Sequence, residues 1–282
     1  MTGAVACSSK LLVVDADSGG DIDSDPVRVG VHELGLVLTQ VEPGALELLG
    51  EQQRTAGTER VVVGRLSARR LERELEGHLN VLSYTDSLGH PAGLVGWSAG
   101  ADLALLVAAR SDAVDAAAVY EPALPSLLDE PTRMAYLETF ARMGELASEG
   151  RLTAAMRTFA AMPFGDDELA VAEDAGYLEA AGRYVPNLLS TIQQQPDQQQ
   201  PEYRGPTPDD PAALGAISSP VLVLTGSDTK PLMARSVQHV ADHVPNATVR
   251  EISGAGHAAN LTHPEALAEA LIGFFSVAQQ PA

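Results

Sequence analysis

One cysteine, Cys7, stands in 282 residues. A lone thiol can close no intrachain disulfide and build no cysteine-based metal cluster. Lysine is nearly missing as well. Of 18 basic residues only Lys10 and Lys230 are lysine, and they face 38 acidic residues, for a formal net charge of −20. That balance excludes the basic patches that nucleic acid or an anionic lipid surface requires. No apolar run approaches the roughly 18 residues that span a bilayer. Residues 1–10 put no charged stretch ahead of an apolar one, and 11–14 is too short for the core of a secretion signal. These absences lead to the expectation of a cytoplasmic protein that binds neither nucleic acid nor membrane. What is present is a globular composition, 45% hydrophobic and 20% charged, on a chain long enough to bury a sizeable core.

Short apolar runs alternate with helical patterns. Residues 11–14, 27–31, 61–63, 93–95, 116–120, 221–225 and 247–252 read as strands. Segments 44–53, 67–88, 102–110, 231–244 and 264–277 carry the helical period or its boundary signals, such as Pro264 in a first turn. Alternation at this spacing predicts an α/β fold with a mostly parallel central sheet flanked by helices. The middle breaks the pattern. From 125 to 216 there is no convincing strand, and Met134, Leu137 and Phe140, then Leu152, Met156 and Phe159, mark helical stripes. The expected organisation is therefore a core of residues 1–124 and 217–282 with an all-helical cap, 125–216, inserted. Within it, 193–201 (QQQPDQQQP) reads as an exposed loop.

The sharpest local signal is Gly96-Trp97-Ser98-Ala99-Gly100, between an apolar strand and a helix. A tight strand-to-helix turn leaves no room for a Cβ at its glycines and lifts the serine oxygen above the sheet. The helix N-terminus behind it favours developing negative charge. A serine becomes a nucleophile only when a base takes its proton. Of seven histidines, His257 follows the strand ending at Ile252, where α/β sheets place functional groups. His239 and His243, four apart on a helix, lack a third metal ligand, so no metal site is expected. The acid that orients the base is expected to be Asp228, after the strand 221–225. Its competing role is a helix N-cap, and the rival acid is Glu121, after the strand ending at Tyr120.

The order Ser98, Asp228, His257, separated by 228 − 98 = 130 and 257 − 228 = 29 residues, resembles the α/β-hydrolase superfamily, as does a helical cap ahead of the penultimate strand. The resemblance implies Ser98 as nucleophile, His257 as general base and Asp228 as orienter. It implies the backbone N–H of Ala99 as one oxyanion-hole donor and, by alignment of Val31-His32-Glu33-Leu34, that of Leu34 as the second. Glu33 stands where the family has glycine. The implied chemistry is hydrolysis of an ester, lactone or thioester without metal or organic cofactor. The family also contains natural-product tailoring enzymes, including lyases that eliminate acetate from acetylated tetronates and acyltransferases, and a non-catalytic binding protein on the same scaffold is a third reading. Trp97, His32, Met134, Phe140 and Phe159 are the expected substrate contacts, for an apolar small molecule. Self-association as a homodimer is left open.

Overall fold

The computed structural model describes residues 9–15, 28–32, 35–39, 62–63, 92–186, 188–189 and 207–278. The expected helices 44–53 and 67–88 and the glutamine-rich loop lie outside them. Eight strands are described: β1 (Ser9–Asp15), β2 (Arg28–His32), β3 (Gly35–Thr39), β4 (Val62–Val63), β5 (Ala92–Ser98), β6 (Val114–Tyr120), β7 (Val221–Gly226) and β8 (Ala247–Ile252). Six form one sheet in the order β4-β1-β5-β6-β7-β8, and β2 and β3 pair as a separate antiparallel ribbon. From β5 to β8 every pairing is parallel, whereas β1 runs antiparallel to both β5 and β4.

β5, β6 and β7 are buried on both faces, as parallel strands covered by crossover helices must be, while β8 at the sheet edge is mostly exposed. Side chains alternate with a period of two. Leu94, Ala117, Val119, Val221 and Val223 point to one side. There they meet Leu105 and Val107 of α1 (Ala99–Ala108) and Val237 and Val240 of α7 (Pro231–His243). Val95, Ala116, Ala118, Leu222 and Leu224 point to the other, against Leu267 and Leu271 of α9 (Pro264–Ala278). The run Ala116-Ala117-Ala118 at the centre of β6 keeps the sheet thin enough for helices to pack closely on both sides.

Between β6 and β7 the described residues are helical or irregular. A short 3₁₀ turn (Pro125–Leu127) leads to α2 (Glu130–Ser148), α3 (Leu152–Ala160), α4 (Asp166–Asp174), α5 (Tyr177–Gly182) and α6 (Pro211–Gly215). Asp129 caps α2 by accepting the Thr132 N–H at 3.0 Å, the Asn/Asp/Ser/Thr chemistry that a helix start favours. Phe140, Met143, Met156, Leu169 and Leu178 form a core of their own, and Ala258, from the loop after β8, is packed into it. Two polar ties fasten the outside of this segment: Arg235 Nη2 to Asp129 Oδ2 at 2.7 Å, and Lys230 Nζ donating to the Ala161 carbonyl at 2.7 Å.

Candidate active site

The chain turns from β5 into α1 at Ser98, whose φ of 54° and ψ of −127° lie where a side chain is strained. That backbone survives because the turn is locked around it. A Cβ on Gly96 would lie 2.4 Å from the Gly100 carbonyl oxygen and 2.6 Å from the Ala101 Cα. Gly96 therefore lets β5 and α1 touch backbone to backbone. Ser98 is left half-buried, at the mouth of a pocket. Ala99 opens α1, so its N–H belongs to the first turn, which has no intrahelical acceptor to satisfy.

His257 lies in the loop between β8 and the short helix α8 (Ala259–Thr262), buried to 3% exposure. Its Nδ1 stands 2.7 Å from Glu121 Oε2. A carboxylate can only accept, so Nδ1 carries the proton, and in the neutral form of the ring Nε2 keeps its lone pair. Glu121 is fully buried at the C-terminal end of β6, with a φ of 43°. Its other oxygen, Oε1, accepts the Gly226 N–H at 3.0 Å and the Thr225 hydroxyl at 3.3 Å. Its own N–H donates to the Leu224 carbonyl at 3.0 Å. Burial pushes the Glu121 carboxyl up, but the hydrogen bond and charge of His257 and the Gly226 N–H outweigh it, so the group sits below the usual carboxylate value.

The acid at the histidine is thus Glu121 and not Asp228. Asp228 is exposed, and its Oδ1 accepts the Ser227 hydroxyl at 3.0 Å. The turn that carries it leaves β7 with Ser227 bound to the Gly254 N–H at 2.7 Å. It buttresses the histidine loop while the Asp228 carboxylate faces water. The sequence signal for Glu121 was its place directly after a parallel strand, the same signal that favoured Asp228.

The lowered value of Glu121 has a measurable consequence. Its folded value lies below the usual 4.5, so the stabilisation it supplies is complete above about pH 4.5 and is lost as pH falls through the folded value. Thermal unfolding followed from pH 6 down to pH 3 should show a wild-type loss of stability on acidification that is smaller in Glu121→Gln.

Aromatic rings bracket the imidazole. The Trp97 and Phe164 ring centroids lie 6.2 Å and 6.1 Å from that of His257. Trp97 is also stacked on Tyr120 at 4.2 Å. The pocket that Ser98 and His257 share takes in about 720 Å³, counted out to its open mouth. Its walls include Trp97, Met156, Phe159, Phe164 and Met233, with Tyr136, Tyr177 and Asn260 as polar groups. Of the expected substrate contacts, Trp97 and Phe159 line it. Met134 does not: it is 45% exposed on the outer face of α2. Phe140 does not either, being packed in the helical core against Tyr136 and Phe159. The helical period placed both on α2 without telling which face meets the pocket. Leu34, and the side chain of His32 at the end of β2, lie outside the described residues. No group of metal-binding side chains occurs among the described residues, nor is any helix among them long and apolar enough to cross a membrane.

The profile of the alpha/beta hydrolase family matches residues 53–270. The chain belongs to that family. Solved alpha/beta hydrolase folds resemble it at low identity. MenH from S. aureus is 17% identical with a TM-score of 0.56, over 87% of this chain and 85% of that one. MGS-M2, an alpha/beta hydrolase from a Medee basin deep-sea metagenome library, is 19% identical with a TM-score of 0.55, over 76% and 74%. The enol-lactonase from Burkholderia xenovorans LB400 is 18% identical with a TM-score of 0.51, over 72% and 73%. No curated protein matches the sequence. Within the alpha/beta hydrolase fold, the strand ends that carry Ser98, Glu121 and His257 belong to neighbouring parallel strands, with only β7 between the last two.

Proposed function

We propose that this alpha/beta hydrolase is a serine hydrolase for an ester, lactone or thioester of an uncharged, largely apolar small molecule. Ser98 attacks the acyl carbon, His257 takes its proton through Nε2, and Glu121 holds the imidazole tautomer and balances the imidazolium that forms. As the tetrahedral adduct collapses, the bond to the alcohol or thiol breaks and His257 returns the proton to that leaving group; water deprotonated by the same histidine then opens the acyl-enzyme to the carboxylic acid and free Ser98. The observation that carries the reading is the pairing of His257 Nδ1 with a saturated, buried Glu121 in the pocket that Ser98 enters from its strained turn. The Ala99 N–H is the first oxyanion donor. The helices between β6 and β7 act as a cap, supplying Met156, Phe159 and Phe164 to the wall. Among the described lining residues none carries a fixed charge, which favours a neutral acyl group.

The test is a panel of p-nitrophenyl esters and lactones of rising chain length together with a fluorophosphonate probe. Turnover of apolar members and covalent labelling of the wild type are expected. Failure of both would overturn the reading. With an acetylated substrate, alkene plus acetate instead of alcohol plus acetate would replace hydrolysis by elimination.

A further inference from the structure

One buried carboxylate has no part in the chemistry above. Glu168, on α4, is 7% exposed. Its Oε1 accepts the Gly256 N–H at 3.1 Å and the Ala258 N–H at 2.8 Å, from the two residues on either side of His257. Its Oε2 accepts the Gly165 N–H at 3.0 Å, at the start of its own helix. Three backbone N–H donors offset the cost of burying the charge, and no basic side chain is paired with it among the described residues. The loop is shaped for this guest. A Cβ on Gly256 would lie 2.6 Å from Glu168 Oε2, so only glycine lets the carboxylate approach. From the opposite side the Tyr120 hydroxyl donates to the Gly256 carbonyl at 2.6 Å. Both polar groups of Gly256 are thus engaged, one by the sheet and one by a helix of the intervening segment.

The same short stretch also builds the pocket. Phe164, one residue before Gly165, faces the His257 ring and lines the cavity. When α4 is seated, the wall and the backbone of the base are set together. If α4 lifts, the Gly256 and Ala258 N–H groups lose their acceptor and the imidazole loses the support that aims it.

We propose that Glu168 is a positioning residue that makes alignment of His257 depend on the docking of α4, so that the base is fully set only when this helix is seated against the histidine loop. The proposal rests on the reading of His257 as base. It separates Glu168 from the outer ties of the same segment, such as Lys230 to Ala161, which hold the helices without touching the histidine loop.

Glu168→Gln keeps the shape but puts an NH₂ in place of one acceptor oxygen. Its kcat, and its rate of fluorophosphonate labelling, should fall by about 10- to 100-fold, the scale of a misaligned catalytic group. KM should change by less than about threefold, because Glu168 does not line the pocket. The far-downfield proton resonance of the His257–Glu121 hydrogen bond should broaden or vanish, and exchange of the Gly256 and Ala258 amides should quicken. Lys230→Met is expected to keep the resonance and most of the labelling rate. If the wild type is not labelled, the serine-hydrolase reading fails first. If the wild type is labelled and Glu168→Gln labels at the same rate with the resonance intact, the positioning role is wrong. An equal loss in Lys230→Met would also overturn it, in favour of general loosening of the helices. Should Glu168→Gln fold poorly, the amide exchange and resonance of Glu168→Asp, which shortens the reach by one methylene, give the same decision.

Discussion

Ser98→Ala is expected to lower ester turnover by about 10⁴- to 10⁶-fold, the range seen when a serine nucleophile is removed from an otherwise intact site. KM should change little, since Trp97, Met156, Phe159 and Phe164 still wall the pocket. Labelling by a fluorophosphonate should disappear altogether. The residual rate would come from what remains, the N-terminus of α1 and substrate binding. The substitution removes one oxygen at a half-buried position and leaves the contacts of Gly96 with Gly100 and Ala101 untouched. The loss can then be read as chemistry provided that the unfolding temperature is held or raised. Comparable activity in wild type and Ser98→Ala would remove the serine from the mechanism.

Glu121→Gln is expected to cost about 10⁴-fold in kcat, and Asp228→Asn next to nothing. The amide is nearly isosteric with the carboxylate, so packing is preserved. An amide NH₂ facing Nδ1 would favour the other imidazole tautomer, and an amide oxygen cannot balance an imidazolium. The Gly226 N–H, 3.0 Å from Oε1, would also lose its charged acceptor if the NH₂ turned that way. Asp228 is exposed and bound to the neighbouring Ser227 hydroxyl, so its amide variant falls in the near-neutral range of surface changes. The pair of measurements decides between the two carboxylates. A large loss in Asp228→Asn with an active Glu121→Gln would return the role to the loop after β7.

The sequence made β5, β6 and β7 legible because they alternate apolar residues between two buried faces, with helices of clear period around them. β3 was not legible. Only residues 33 and 34 separate it from β2, and a strand–helix reading leaves no place for a hairpin of that kind. The direction of β1 was equally hidden, since an apolar run carries no sign of whether it pairs parallel or antiparallel. At the site, Ser98 and His257 stood out because each combines a chemically apt side chain with a turn beside a strand end. The acid did not, since Glu121 and Asp228 satisfy the same local rule on adjacent strands. The choice depends on which strand end lies behind the imidazole, a property of the assembled sheet. Glu168 left no local trace at all: in sequence it is one of three acidic residues in the first turn of a helix. Beyond the Gly165 N–H of its own helix start, its partners lie 88 and 90 positions further on.

Two side-chain-bearing residues with positive φ, Ser98 at 54° and Glu121 at 43°, terminate the adjacent strands β5 and β6. Conformations of this kind each hold on the order of 1–3 kcal/mol of strain, so the rest of the sheet must be stable enough to impose them. On the proposed mechanism, glycine at either position would relax the backbone while deleting a reacting or orienting group. Selection for thermostability alone would therefore push the protein toward an inert scaffold. On the proposed mechanism, activity is maintained against the preference of the backbone at these two strand ends.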